Sequence, residues 1–109
     1  MKRGDVVVVA ATGDYGKPRP AVVVQTDALP AYHVSVVICP MTSELSDAGD
    51  IRVAIDPTPA NGLRARSEIM ADKPTTVRRA RIGKIIGALA RDDLRRVNAA
   101  IAFVMGLSD

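Results

Sequence analysis

Gly16-Lys17-Pro18-Arg19-Pro20-Ala21-Val22-Val23-Val24-Gln25 is the stretch on which the reading of this chain turns. Each proline fixes its own φ near −65° and biases the residue before it toward extended backbone, so Lys17 and Arg19 lie in a stiff, nearly linear run. The β-branched residues that follow read as a strand over residues 21–26. Two cations are thus held at the mouth of a buried strand. Arg19 there is either a solvated surface charge or a guanidinium fork fixed for binding a phosphate.

Upstream of the stretch, residues 6–11 are a run of four valines and two alanines, which predicts a strand buried on both faces. Between the two, Thr12-Gly13-Asp14-Tyr15-Gly16 supplies glycines and a polar tip, the marks of a loop. Downstream, residues 33–39 read as a third strand closed by Pro40, followed by a polar connection through Ser43, Glu44, Asp47 and Gly49. Residues 51–56 alternate as a half-exposed fourth strand, and Pro57 to Gly62 form a turn. Residues 63–71 and 81–89 predict a fifth and a sixth strand, the sixth bent at Gly83 or Gly87. From residue 91 to about 107, Leu94, Val97, Ile101 and Val104 recur at helical spacing, with Asp92 and Asp93 in the first turn where they complement the helix dipole. The helix widens to apolar almost all round near its end, which predicts burial in the core or against a second copy. Short strands joined by turns rather than crossover helices argue for a mainly β, single-domain chain over residues 1–109: a small antiparallel barrel with a C-terminal helix across it.

Composition narrows the function. The 109 residues are 48% hydrophobic but only 3% aromatic, so stacking of bases on aromatic rings is confined to Tyr15 and Tyr32. Residues 1–60 carry five cations and seven acids, whereas residues 61–96 carry ten cations and four acids, which makes the second segment either a polyanion surface or a set of solvated faces. The single cysteine, Cys39, excludes an internal disulfide and fits a reducing compartment. The opening residues lack the pattern of a secretory leader, and no apolar run approaches the roughly 18 residues of a membrane span. The expectation is a soluble cytoplasmic chain without a membrane anchor.

No Cys/His cluster has metal spacing, and no glycine-rich phosphate loop, G-x-S-x-G elbow or H-E-x-x-H motif occurs. The lone His33 reads as an edge residue, and Cys39, inside Val36-Val37-Ile38-Cys39, as a small core residue rather than a nucleophile. Arg19, Thr42 with Ser43, and Asp72 with Lys73 remain. Each ends a strand or begins a loop, where barrels gather functional groups. Each also has a plain reading, as turn hydroxyls, turn former or solvated charge.

The ordered set of short matches is what joins them. Lys2-Arg3-Gly4-Asp5-Val6, Lys17-Pro18-Arg19-Pro20-Ala21-Val22-Val23-Val24, Val37-Ile38-Cys39-Pro40-Met41-Thr42-Ser43, Gly62-Leu63 followed by Ser67, Asp72 followed by Thr76-Val77, Arg81-Ile82 and Gly87-Ala88-Leu89 run through nearly the whole chain. Together they resemble the MazF/PemK family, the ribonuclease halves of bacterial toxin–antitoxin pairs. The resemblance implies an SH3-like barrel of the CcdB/MazF kind, a homodimer, and cofactor-free, metal-independent cleavage of single-stranded RNA. It implies 2′-hydroxyl attack that leaves 2′,3′-cyclic phosphate and 5′-hydroxyl ends, and a MazE-like antitoxin as partner.

By the same resemblance Arg19 and Thr42 act at the scissile phosphate. A fixed guanidinium and a hydroxyl donor suit the charge that builds on the equatorial oxygens. Asp72 is the candidate for proton transfer, and Tyr15, Lys17, Ser43 and Lys73 are candidates for RNA contact. Some members carry a histidine in the first loop and an arginine two residues before the aspartate; this chain has no histidine there, and Met70 at the second position. The match therefore leaves the proton carrier unassigned. The alternative reading is a non-enzymatic CcdB-like module that blocks a protein target, which has no need of Arg19 and Thr42 at these positions. A DNA-binding role is disfavoured, because the final helix is too apolar to enter a groove.

Overall fold

The valine runs set the centre of a seven-stranded antiparallel sheet. The computed structural model describes residues 1–10, 17–46 and 48–109. Among these residues, strands β1 (Asp5–Val9), β2 (Arg19–Val23), β3 (Ser35–Thr42), β4 (Arg52–Ile55), β5 (Ser67–Met70), β6 (Thr75–Arg78) and β7 (Ile82–Ala88) precede one α-helix, α1 (Arg91–Val104). The order across the sheet is β4-β5-β3-β2-β1-β7, with β6 paired to the first half of β3. The expected antiparallel barrel with a C-terminal helix is present as a curled sheet whose ends are not hydrogen-bonded to one another. Its curl is evident in the main core, where Val6, Val22, Cys39, Met41, Val53, Ile55 and Ile69 from five strands meet Val97 and Ala100 of α1.

β1, β2 and β3 are buried on both faces, as continuous apolar runs require. Their second face packs Val7, Val9, Ala21, Val23, Val36 and Ile38 into a smaller cluster covered by Val77 and Ile82. Because side chains alternate along a strand, Arg19, Ala21 and Val23 share this second face with Val36, Ile38, Pro40 and Thr42.

Four boundaries depart from the sequence reading. β3 begins at Ser35, not residue 33, because His33 N–H donates to Pro30 O at 3.0 Å and closes a turn. Nor does Pro40 end it: β3 runs on to Thr42, and Pro40 falls where the strand changes partner from β6 to β5, the place along a ladder where a missing amide hydrogen costs least. The fifth strand covers only Ser67–Met70. Residues 56–63 are instead tied by buried Asn61, whose Oδ1 accepts from Thr58 N and Leu63 N and whose Nδ2 donates to Asp56 O. β6 has one half-buried apolar residue, Val77, and is an edge strand that hydrophobic alternation cannot reveal.

β7 pairs with β1 through two register shifts, one of them across Gly83-Lys84 and the other at Ile86. Gly87 lies so close to the turn before β5 that a Cβ there would meet Ala60 O at 2.4 Å. α1 ends as a Schellman cap: Gly106 has φ +71°, Leu107 N–H donates to Ala102 O at 2.8 Å, and Gly106 N–H donates to Phe103 O. Within one chain only Val97 and Ala100 of the helix are fully buried, while Phe103, Met105 and Leu107 stay exposed. No helix among the described residues is long and apolar enough to cross a membrane.

Candidate functional site

The register of β2 against β3 brings the two leading candidates together. Ala21 stands opposite Pro40 in the last pair of the β2–β3 ladder, and two residues further out on each strand Arg19 and Thr42 lie on the same face just beyond it. Both line a cleft of about 530 Å³ whose walls include Ser43, Glu44, Arg52, Met70 and Lys73. Pro18 and Pro20 bracket Arg19 as it enters the strand, which limits the backbone positions from which its side chain can start.

Thr42 is held by its own turn. Glu44 N–H donates to Thr42 Oγ1 at 3.1 Å, which fixes the hydroxyl oxygen and leaves its hydrogen to be donated elsewhere. The connection beyond it is anchored by Glu68, which is 5% exposed and stands opposite Thr42 in the β3–β5 pair. Both Glu68 oxygens accept from Ser46 N at 3.1 Å, and Ser46 Oγ donates to Oε1 at 3.0 Å. Arg52 N–H and Ile51 N–H donate to Ala48 O, closing the far end of the same connection. This wall of the cleft is thereby braced from beneath.

Asp72 sits in the turn after β5, where its Oδ1 accepts from Arg52 Nε at 3.0 Å; the two side chains are 22% and 18% exposed. Arg52 is the residue that sequence reasoning missed. It begins β4 directly opposite Met70 and therefore shares that residue's side of the β4–β5 pair. Among the described residues its terminal nitrogens have no hydrogen-bond partner, and the residue lines the cleft. The available signal was Arg52 at the head of an alternating strand, but the Arg52 to Met70 register that gives it meaning is a long-range pairing.

The other candidates divide. Ser43 and Lys73 are exposed and line the cleft, with Lys73 N–H donating to Met70 O at 3.0 Å in the β5–β6 turn. Lys17 is exposed two residues before β2 and is outside the lining set. Tyr15 lies outside the described residues. Cys39 is fully buried in the main core, and burial pushes its thiol up to about 11, which removes it as a nucleophile. Among the described residues no three His, Cys, Asp or Glu side chains gather into a metal-binding group.

Arg19, Arg52 and Lys73 with the hydroxyls of Thr42 and Ser43 line an open cleft that also holds Glu44, and Asp72, outside the lining set, reaches it only through Arg52; the three cations can neutralise and orient a phosphodiester. Comparison with known proteins agrees on a lineage. A family model for PemK-like, MazF-like toxins of type II toxin–antitoxin systems matches residues 2–105. A curated relative, a probable endoribonuclease MazF of Mycolicibacterium smegmatis, is 41% identical over 109 residues, covering 99% of each chain. Among solved structures, an endoribonuclease in complex with its cognate antitoxin from a mycobacterial species superposes with a TM-score of 0.83 at 22% identity, over 98% of this chain and 96% of that one. The toxin MazF-mt6 of Mycobacterium tuberculosis superposes with a TM-score of 0.80 at 20% identity, over 94% and 96%. From the extent of the family match and the identity shared along the whole length of a relative, the chain belongs to the PemK-like, MazF-like toxins.

Proposed function

We propose that this toxin is a metal-independent endoribonuclease that cuts single-stranded RNA at the Arg19–Thr42 end of the cleft. The 2′-hydroxyl attacks the adjacent phosphorus, the bond to the 5′-oxygen breaks, and the products are a 2′,3′-cyclic phosphate and a 5′-hydroxyl. Arg19 bears the charge that grows on the phosphate oxygens, with Arg52 as a second guanidinium on the same cleft. Thr42 donates its hydroxyl hydrogen to a phosphate oxygen. Lys73 and Ser43 contact the strand beside it, and Lys17 approaches from the rim. Asp72 Oδ1 accepts from Arg52 Nε and orients that guanidinium; its Oδ2 is the atom through which it would move a proton.

The observation that carries this reading is that Arg19 and Thr42, just beyond the last pair of the β2–β3 ladder, line one cleft together with two further cations. RNA rather than DNA follows from the nucleophile, which DNA lacks. The antitoxin in the solved mycobacterial complex supports a cognate antitoxin here, one whose acidic segment would compete for the same cations. Exposed Phe103, Met105 and Leu107 at the end of α1 support a second copy of the chain as partner. The cytoplasm is the compartment where such a substrate is met.

The test is Arg19→Ala, purified free of contaminating nuclease and shown to be folded by its thermal transition. The native protein should leave cyclic phosphate ends on RNA, and the variant should lose cutting by about 100-fold or more. A folded Arg19→Ala protein that still cuts would overturn the assignment. Intact RNA with the native protein would favour the binding module.

A further inference from the structure

Beneath the connection between β3 and β4 lies a carboxyl group that has no part in the bond changes above. Glu68 stands in a row across the sheet, with Thr42 of β3 opposite it on one side and Ala54 of β4 on the other. Directly opposite residues present their side chains on the same face, so Glu68 and Thr42 are side-chain neighbours. Glu68 is nevertheless 5% exposed, and among the described residues no cation pairs with it. Its hydrogen bonds come from one residue, Ser46, through N–H to both oxygens and Oγ to Oε1. Burying a carboxyl group costs folding free energy that an apolar side chain of like volume would avoid. What Glu68 supplies and an apolar residue cannot is a seat for Ser46.

We infer that Glu68 is a positioning residue for the cleavage: by seating Ser46 it holds the turn that presents the Thr42 hydroxyl to a phosphate oxygen. The inference rests on the endoribonuclease reading above, and three observations support it. The connection is a thin wall, with Ser43 and Glu44 lining the cleft, Leu45 and Ser46 lining a second hollow of about 410 Å³, and Arg52 bordering both. Among the described residues, Glu68 is the one side chain from elsewhere in the sequence that hydrogen-bonds to residues 43–49 of this wall. Two residues before Ser46, Glu44 N–H donates to Thr42 Oγ1 at 3.1 Å, while the Thr42 hydroxyl hydrogen has no acceptor among the described residues. Seating Ser46 therefore fixes the turn that aims the hydroxyl. It also keeps both Glu68 oxygens engaged, so that this neighbouring carboxyl group does not take the hydrogen meant for the phosphate.

The test separates the rate of cutting from the binding of RNA. Glu68→Leu, Glu68→Gln and Ser46→Ala are made alone and together with Thr42→Ala, each with a melting curve. Single-turnover cutting at saturating RNA gives the rate, and the same RNA with a 2′-deoxy nucleotide at the cut gives affinity without turnover. Glu68→Leu should lower the rate by about tenfold and leave affinity within about twofold, because the hydroxyl is misplaced while the cations stay. Glu68→Gln keeps an oxygen for Ser46 N–H and should restore most of that rate; Ser46→Ala loses only the hydroxyl's bond and should cost about threefold. On the residual cutting of Thr42→Ala, each substitution should change the rate by less than about twofold. A folded Glu68→Leu protein that cuts at the native rate, or whose deficit lies in affinity, would overturn the inference. So would a loss that persists undiminished without the Thr42 hydroxyl. Where Glu68→Leu does not fold, Ser46→Ala, at an exposed position, is judged by the same two criteria. Absence of cutting by the native protein would overturn the endoribonuclease reading itself.

Discussion

Arg52→Met, combined with Asp72→Asn, separates two roles for the Asp72 carboxylate behind Arg52. Arg52 meets Asp72 through Nε at 3.0 Å, and both side chains are under a quarter exposed, so the contact is partly shielded from water. A charge-assisted hydrogen bond to a phosphate oxygen contributes roughly 1.5–3 kcal/mol, and each 1.36 kcal/mol is tenfold in rate. Arg52→Met should therefore lower the single-turnover rate by about 10- to 150-fold. Asn at position 72 keeps an oxygen that accepts from Arg52 Nε, so Asp72→Asn alone should cost only a few-fold if the carboxylate merely orients the guanidinium. In the Arg52→Met background that substitution should then change the rate by less than about twofold, because there is nothing left to orient. The assay is single-turnover cleavage of a short fluorescent RNA across a pH series, with a melting curve for each variant. The reasoning fails if Asp72→Asn alone costs about 100-fold, removes one limb of the pH profile, and adds fully to Arg52→Met. That outcome would make Asp72 the proton carrier.

Two predictions concern the scaffold. Gly87→Ala places a Cβ 2.4 Å from Ala60 O, a backbone atom that cannot turn aside, and should lower the melting temperature by roughly 10 °C or more; Gly49→Ala has nothing within 4 Å and should leave it within a degree or two. Cys39 should resist a thiol reagent at pH 8 in the native protein and react at once in denaturant. Its thiol is raised from 9.0 to about 11 by burial, so its contribution to stability is fully present below about pH 9 and is lost as pH rises through about 11. Denaturant titrations at pH 8 and pH 10.5 measure that loss, and equal midpoints would refute it.

The residues that were legible in the sequence are those whose chemistry is local. Proline punctuation around Arg19, the valine runs and the spacing of Leu94, Val97 and Ile101 each fix one element from its own neighbours. What stayed hidden depends on pairing. Thr75 to Arg78 carries a single apolar residue and is a strand only because β3 offers it residues 35–38. Pro40 reads as a stop, yet its position between two successive partners lets β3 carry Thr42 to the cleft. Arg52 is an ordinary surface cation until the β4–β5 register sets it beside Met70 and within reach of Asp72.

The same pairing explains why the site needs so few residues. In the β2–β3 ladder the partners Val23 and Ile38, then Ala21 and Pro40, succeed one another on one face, and by strand alternation Arg19 and Thr42 follow on that face beyond the last pair. A slip of β2 by one residue against β3 would turn Arg19 toward the main core and Val22 away from it, at the cost of burying a guanidinium and exposing apolar groups. The hydrophobic core thus enforces the register, and the register keeps Arg19 and Thr42 on one face at the cleft. Substitutions that loosen this face, even far from the cleft, should lower cutting before they unfold the chain.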